Sequence, residues 1–356
     1  MSSTEAAALN VSPRYLLFST LKYSELTAAM SSQMPVTFEL GKLETKNFAD
    51  GEHYSRIVTS AKHRDVVLVG GTVSDEDTLE LYDLASGLVD AGAHRLLLVI
   101  PYFGYSTMER AVKTGEIVKA KTRARLLSSI PLPGSGASVV LLDLHVDSIA
   151  YYFEGNVRPW HLSGRPLILQ AIREGLQVEG EEFVMASTDA GRAKIVESFA
   201  NDLRVPASFV FKRRTDSGAT AVTAVSAQVA GKHVIIYDDS EFYKGCTSLN
   251  AHKLKICALP PSPPTPLLRH TVIRTGGSLV GAAQAYRDAG ANKISVISTH
   301  GVFAGDSVAK LESCGLISRV VVTDSHPAAT LAAKSSPGFV KVVSIAGLLS
   351  DYLKGL

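Results

Sequence analysis

The chain has 356 residues, of which 46% are hydrophobic and 20% charged, and its formal net charge is +2. A chain of this length can bury more than one hydrophobic core, so we predict two domains. The near-neutral charge excludes a global field that would attract nucleic acid or an anionic membrane, so any bound anion must be held by local groups. We therefore expect neither a nucleic-acid partner nor a membrane partner.

Two features concern the compartment. No stretch approaches the ~18 uninterrupted apolar residues of a membrane span, and the first residues, MSSTEAAALNVSPRYLL, lack the basic region and apolar core of a secretion signal. The three cysteines (Cys246, Cys257 and Cys314) form no CxxC pair, so they indicate neither a disulfide framework nor a zinc site. We predict a soluble, cytoplasmic protein.

Short apolar runs recur along the chain, separated by segments with helical spacing. They predict buried strands at Val66–Val69, Leu96–Ile100, Val139–Leu142, Phe183–Ala186, Val234–Tyr237, Ile294–Ile297 and Val320–Val322. After the first run, SDED at 74–77 resembles a capping box and predicts a helix start. This alternation is typical of an α/β fold with mainly parallel sheets flanked by helices.

A weak internal repeat predicts two similar halves. VDAGAHR at 89–95 and RDAGANK at 287–293 each combine the glycine that ends a helix with the start of the next strand. Pro, Trp, Ser and Gly cluster at 158–164, where we place the boundary. We predict a flexible segment at 1–14, a first domain at 15–160 and a second domain at 161–356.

The 32 residues 240–271 interrupt this pattern. Their core, PPSPPTP, can neither extend a helix nor enter a central strand, so the run is predicted to be an insertion. Bridging it joins the strand that ends in Asp238 and Asp239 to a small-residue loop, Thr275–Ser278, and a helix start. Glycine N–H groups and a helix N-terminus favour phosphate, with an ordinary glycine turn as the alternative.

Four further motifs accompany this bridged loop in a fixed order. They are FADGE at 48–52, DLHV at 143–146, TDAGRAK at 188–194 and KRR at 212–214. Together they resemble the ribose-phosphate pyrophosphokinase family, and the resemblance runs from about Phe18 to Leu353 apart from the insertion. It implies two phosphoribosyltransferase-type domains that transfer the pyrophosphoryl group of ATP to ribose 5-phosphate for nucleotide biosynthesis, with Mg²⁺, in a homo-oligomer or hetero-oligomer.

The resemblance also implies site residues. Those for ATP are Phe48, Asp50, Glu52, Thr107, Met108 and Arg110, the first three on a hairpin that reaches the adenine bound to a neighbouring subunit. Those for ribose 5-phosphate are Asp238, Asp239, Thr275, Gly276, Gly277 and Ser278. The implied metal residues are Asp143, His145 and Asp189, and the implied catalytic residues are Lys212, Arg214 and His145.

The chemistry of these residue types agrees with that reaction. Pyrophosphoryl transfer needs Mg²⁺ to bridge phosphates and cations to neutralise the charge that develops on them. Lys212 would act as a point charge and Arg214 as a planar fork. Because Mg²⁺ prefers oxygen, we expect His145 to act partly through water or phosphate; capping of the next helix is the alternative.

Several residues depart from the family pattern. Thr107 and Met108 replace an Arg and a Gln that contact ATP, Arg274 stands where an acid is common, and the insertion separates Asp239 from the phosphate loop. These departures leave open a second interpretation, a catalytically weak subunit that regulates an active partner. A single-domain phosphoribosyltransferase would share the phosphate loop, but it has no use for the FADGE and DLHV motifs.

Overall fold

The computed structural model describes residues 13–176, 182–214, 220–226, 228–237 and 272–355. Its first half contains a six-stranded parallel sheet with the strand order β2-β1-β5-β6-β7-β8, together with a separate two-stranded hairpin, β3-β4. The strands are β1 Tyr15–Ser19, β2 Phe38–Leu40, β3 Leu43–Asn47, β4 His53–Ile57, β5 Asp65–Val69, β6 Arg95–Ile100, β7 Ala137–Leu142 and β8 Val157–Leu162; the helices are α1 Ser24–Gln33, α2 Asp75–Asp90 and α3 Lys119–Ser128.

The second half contains a mainly parallel sheet with the order β11-β10-β9-β12-β14-β15-β16, and β13 pairs with β14. Only β11 is antiparallel to its neighbour among the described pairs. The strands are β9 Phe183–Ser187, β10 Ala207–Arg214, β11 Thr220–Val225, β12 His233–Tyr237, β13 Val272–Ile273, β14 Lys293–Gly301, β15 Arg319–Thr323 and β16 Val340–Val343; the helices are α4 Arg165–Gln170, α5 Ala193–Leu203, α6 Gly277–Asp288, α7 Ser307–Ser313, α8 Pro327–Ser335 and α9 Ala346–Lys354.

All seven predicted strands are confirmed, and so is the predicted α/β class. Strands β6 and β7 are buried almost throughout, as expected for parallel strands covered by helices on both faces. The predicted helix start is also confirmed, since the Ser74 hydroxyl accepts a hydrogen bond from the Asp77 N–H and caps α2. No helix in the described ranges is both long and apolar enough to cross a membrane.

The internal repeat has the same structure in both halves. Gly92 and Gly290 adopt φ values of 85° and 92° two residues after the last residues of α2 and α6, and β6 and β14 begin three residues later. The amide one residue beyond each glycine, Ala93 or Ala291, donates back to a carbonyl of the last helical turn. This left-handed helix end explains the glycine at this position in both copies.

Helix α9 contributes to the core of the first half although it lies far along the chain. Its residues Ala346, Leu349 and Leu353 are fully buried in a cluster with Met30 of α1 and Val67 of β5. The two halves therefore share part of their hydrophobic core. The predicted division at 160–161 stays a prediction; β8, the last strand of the first sheet, ends at Leu162.

Candidate active site

The two halves meet at the carboxyl end of β7, where Asp143 begins the predicted metal motif. The residue is 3% exposed and adopts φ 42°, a left-handed conformation that Asp tolerates better than most residues. One carboxylate oxygen accepts a hydrogen bond from the Gly164 N–H at 2.8 Å, and the other accepts one from the Thr299 hydroxyl of β14 at 2.6 Å. Asp143 thus joins the first half to a strand of the second half.

His300, the next residue of β14, extends this junction. Its Nε2 lies 3.1 Å from the Asp143 carbonyl oxygen, and its Nδ1 lies 2.7 Å from the Ser325 hydroxyl after β15. The Tyr102 ring packs edge-on against both His300 and His326, with centroid distances of 5.2 and 4.7 Å. We call this set of five residues, Asp143, Thr299, His300, Ser325 and Tyr102, the seam.

His326 borders the seam as a neutral imidazole. It is 5% exposed, and its Nδ1 accepts a hydrogen bond from the Ala328 N–H, which caps α8. Burial lowers the pKa of His326 to about 3, helped by the nearby His300, Lys22 and Arg274 and opposed by Asp77. Protonation at this position therefore opposes folding.

This shift predicts a pH-dependent stability. Between pH 6.5 and about 3 the unfolded chain protonates His326 while the folded chain does not, so stability decreases as the pH falls through that window. Asn caps helices well and does not titrate, so His326→Asn is expected to make stability less dependent on pH there. Chemical denaturation of both proteins from pH 7 to 4 tests this; parallel pH profiles would contradict it.

The predicted phosphate loop lies at the start of α6. Gly276 adopts φ 69° at the N-cap position, Thr275 and Gly277 are exposed, and Ser278 is partly buried in the first helical turn. The first amides of a helix have no partner within the helix, so they can face an anion. A Cβ on Gly277 would lie 3.8 Å from the Lys310 Nζ. The Lys310 ammonium group therefore lies beside the loop, and the sequence analysis did not predict this cation.

The FADGE motif forms the turn of the β3-β4 hairpin. The Phe48 N–H donates to the Glu52 carbonyl at 2.8 Å, Gly51 adopts φ 94°, and the Asp50 carboxylate accepts from the Glu52 N–H. The Phe48 side chain is 43% exposed, with the Lys46 Nζ 4.5 Å from its ring centroid. An exposed aromatic ring held by a rigid turn is a suitable surface for a base.

We predict that Phe48→Ala weakens ATP binding without destabilising the fold. The ring is too exposed to contribute much to the core, whereas stacking on a base contributes about 1–3 kcal/mol. The apparent KM for ATP should therefore rise about tenfold or more, with the unfolding midpoint unchanged. Val36→Ala, at another exposed apolar residue of the same half, is the matched control. An unchanged KM in Phe48→Ala would contradict the adenine assignment.

The loop that carries Thr107 and Met108 is held by backbone contacts. The Met108 N–H donates to the Tyr105 carbonyl, and the Met108 carbonyl accepts from the Ala120 N–H of α3. Met108 is 39% exposed, and the Arg110 guanidinium, which is largely exposed, lies 3.4 Å from the Glu109 carboxylate. These three predicted ATP contacts therefore lie on one surface loop of the first half.

A basic cluster supports that loop. Tyr105 donates to the Asp75 carboxylate at 2.5 Å, and Arg123 forms an ion pair with the same carboxylate. Lys119 and Arg123 both approach the Tyr105 ring, each 4.9 Å from its centroid. Lys119 and Arg123 of α3 thus supply positive charge near the loop that carries Thr107.

The three predicted metal residues do not form a preformed cage. Both carboxylate oxygens of Asp143 already accept hydrogen bonds, and a carboxylate oxygen of Asp189 accepts one from the Gly191 N–H. His145 is buried in the loop after β7, and the following 3₁₀ helix, Asp147–Tyr152, has no side-chain cap. In the described part of the chain, no three His, Cys, Asp or Glu residues are grouped as metal ligands.

These donors nevertheless suit one kind of magnesium binding. Mg²⁺ keeps several waters and commonly binds through one or two carboxylates together with substrate phosphates. Asp189 is partly exposed after β9, so it could bind an ion that arrives with the nucleotide. The metal roles of Asp143, His145 and Asp189 stay predictions.

Four of the predicted site residues lie at or beyond the limits of the described structure. Lys212 and Arg214 lie in β10, where their backbones pair with Val222 and Thr220 of β11, so the KRR motif belongs to a strand. Asp238, Asp239 and the predicted insertion at 240–271 lie outside the described residues. The assignment of these residues to phosphate and ribose stays a prediction.

Sequence reasoning did not identify Thr299, His300 and Ser325 as seam residues. The sequence did contain a signal for these residues, because polar residues occur at the ends of two otherwise apolar strands. Ser298, Thr299 and His300 follow the run Ile294–Ile297 and are all at most 2% exposed. Buried polar groups need partners, so such an interruption indicates a hydrogen-bonded network.

Comparisons with known proteins agree with this architecture. Residues 15–130 match the N-terminal domain of ribose phosphate pyrophosphokinase, and residues 267–355 match the phosphoribosyl synthetase-associated domain. Ribose-phosphate pyrophosphokinases from Staphylococcus saprophyticus and Corynebacterium efficiens are each 28% identical, over 89% and 88% of this chain and 86% and 85% of theirs. The crystal structure of phosphoribosylpyrophosphate synthetase from Mycobacterium smegmatis superposes with a TM-score of 0.73 at 25% identity, covering 96% of this chain and 98% of that one.

The fold and the structural match thus define a two-domain protein of the phosphoribosyltransferase type. The matches to both halves make the class more specific. The chain belongs to the ribose-phosphate pyrophosphokinase family.

Proposed function

We propose that the chain transfers the pyrophosphoryl group of ATP to ribose 5-phosphate, forming 5-phosphoribosyl 1-diphosphate and AMP for nucleotide biosynthesis. One observation carries the proposal. His300 contacts the Asp143 carbonyl of the first half, and in β14 it also pairs with Val272, three residues before the phosphate loop begins at Thr275. The nucleotide half and the ribose-phosphate loop are therefore joined within one network.

Each group of residues has a defined task in this proposal. Phe48 and the loop at 105–110 bind the nucleotide, the Gly276–Gly277 amides bind the 5-phosphate, and Lys212 and Arg214 neutralise the transferred phosphates. Magnesium, when bound with the nucleotide, would neutralise phosphate charge, and Asp189 is the residue best exposed to hold it. The sugar hydroxyl is brought into line by the fixed spacing of the two halves.

The test is AMP release from ATP and Mg²⁺, with and without ribose 5-phosphate. It should be run on the full chain and on a variant that lacks residues 240–271. Ribose-dependent AMP from both proteins is the expected result. Activity in the deletion variant alone would identify the run 240–271 as inhibitory, whereas no activity in either folded protein would refute the proposal.

A regulatory subunit is the second candidate. Thr107 and Met108 favour it, since neither offers the charge of an Arg to the triphosphate. This function predicts that an inactive chain changes the rate of an active family member when the two are mixed. Both candidate functions imply a homo-oligomer or hetero-oligomer and a cytoplasmic location. Size-exclusion chromatography with light scattering measures the oligomeric state of the chain alone and after mixing with an active family member.

A further inference from the structure

His300 lies where three parts of the site meet. It is 2% exposed, and its backbone pairs with Val272, two residues before Arg274 and the phosphate loop. Its ring contacts the Asp143 carbonyl, which begins the loop that carries His145. Tyr102, which packs on the same ring, begins the loop that carries Thr107 and Met108.

The hydrogen-bond partners of the His300 ring place a hydrogen on Nε2. A carbonyl oxygen only accepts, so the Nε2 that faces the Asp143 carbonyl must carry a hydrogen. On the other side of the ring, the Ser325 hydroxyl lies 2.7 Å from Nδ1 and 3.2 Å from the Thr299 carbonyl, which also accepts from the Thr323 hydroxyl at 2.7 Å. His300 therefore donates from Nε2 to the Asp143 carbonyl, while Ser325 contacts the other ring nitrogen.

The contact with Asp143 acts on a strained backbone. Asp143 has a positive φ, which costs a non-glycine residue about 1 kcal/mol or more, so surrounding contacts must hold it. Its carbonyl is held by His300, its carboxylate by Thr299 and Gly164, and the next amide, that of Leu144, donates to His161. His300 and Thr299 are the two members of this set that come from β14, in the sheet of the second half.

We infer that His300 is a positioning residue that sets the distance between the nucleotide loops of the first half and the phosphate loop of the second half. It touches neither substrate in this role, and the inference rests on the proposed function for its kinetic consequence. Misplacement by about 1 Å can lower a rate about 10²-fold while each half-site still binds its own ligand. The expected effect is therefore on kcat rather than on KM.

Two variants of His300 separate its hydrogen bond from its volume. His300→Phe keeps a ring for Tyr102 but removes the N–H that faces the Asp143 carbonyl, whereas His300→Gln supplies an amide N–H at similar reach. His233→Phe is the matched control, because His233 is also 2% exposed in the same sheet and bonds Ser295 at 2.9 Å. It lies at the first residue of β12, the opposite end of the strands from the seam.

In an active enzyme, His300→Phe is expected to lower kcat about 30-fold or more, with both KM values within threefold of the parent. On a logarithmic scale, the kcat of His300→Gln should recover at least a third of the decrease in kcat that His300→Phe causes. His233→Phe should lower thermal stability without lowering kcat of the folded protein. A kcat within twofold of the parent in His300→Phe, or no recovery in His300→Gln, would overturn the inference.

Hydrogen exchange provides a readout that does not depend on activity. Peptides that cover 143–146 and 272–275 should exchange about tenfold faster in His300→Phe than in the parent, and they should be unchanged in His233→Phe. Equal exchange in His300→Phe and the parent would overturn the positioning role even if the chain proves inactive. An inactive parent with the expected exchange pattern would refute the proposed function and leave the positioning role supported.

Discussion

Asp143→Ala is expected to lower the free energy of unfolding by about 3–5 kcal/mol. The change leaves the Gly164 N–H and the Thr299 hydroxyl buried without their acceptor, at about 1–3 kcal/mol each. It also places Ala at φ 42°, which Asp and Asn tolerate better. Denaturant unfolding of the folded parent and variant measures the difference; a loss below 1 kcal/mol would contradict the seam as described.

Asp143→Asn distinguishes the hydrogen-bonding role of Asp143 from its predicted role in metal binding. The amide oxygen can accept from Gly164, and the amide NH₂ can donate to the Thr299 hydroxyl, which rotates to accept. We therefore expect a stability within about 1 kcal/mol of the parent. If the negative charge binds magnesium, activity is lost while stability remains; if Asp143 serves only the seam, both remain.

Gly276→Ala is expected to raise the apparent KM for ribose 5-phosphate at least tenfold. A Cβ at this φ of 69° would lie 2.9 Å from the Leu311 side chain, which is fully buried and cannot move cheaply. Relief requires the loop to shift, and a strained backbone at such a position costs about 1–3 kcal/mol. A tenfold change in affinity corresponds to about 1.4 kcal/mol.

Gly281→Ala is the matched control for this prediction. Gly281 lies in the same helix, α6, and no atom lies within 4 Å of a Cβ built on it. Alanine is the better helix former by about 0.5–1 kcal/mol, so this variant should be as stable as the parent or more so, with an unchanged KM. Initial rates over a range of ribose 5-phosphate concentrations, at saturating ATP, decide between the two outcomes.

The strands that form the sheet centres could be predicted because parallel strands buried on both faces are continuous apolar runs. Val139–Leu142 and Val320–Val322 are examples, and both lie in strands of nearly complete burial. β10 and β11 could not be predicted in this way, because the basic end of β10 reads as a solvated turn. The packing of α9 on α1 could not be predicted either, because hydrophobic periodicity indicates the apolar face of a helix but not the element that packs against it.

The candidate site was predictable where a local motif determines local geometry. The Asp50-Gly51 turn and the positive φ of Gly276 follow from residue type and near neighbours. The seam was not predictable, because it joins residues about 156 positions apart, as in the Thr299 to Asp143 hydrogen bond. A carboxylate in a metal-like motif gives no sign in the sequence that a hydroxyl from the other half is its partner.

The position of α9 has a consequence for biosynthesis. Strands β1 to β8 leave the ribosome more than 180 residues before Leu349 and Leu353, yet these leucines lie in the hydrophobic core around Met30 and Leu26. One face of the nascent first half must therefore stay exposed to water until the remainder of the chain has been synthesised. Truncation before α9 should leave an apolar surface for chaperones and proteases to recognise, although every motif of the candidate site would still be present.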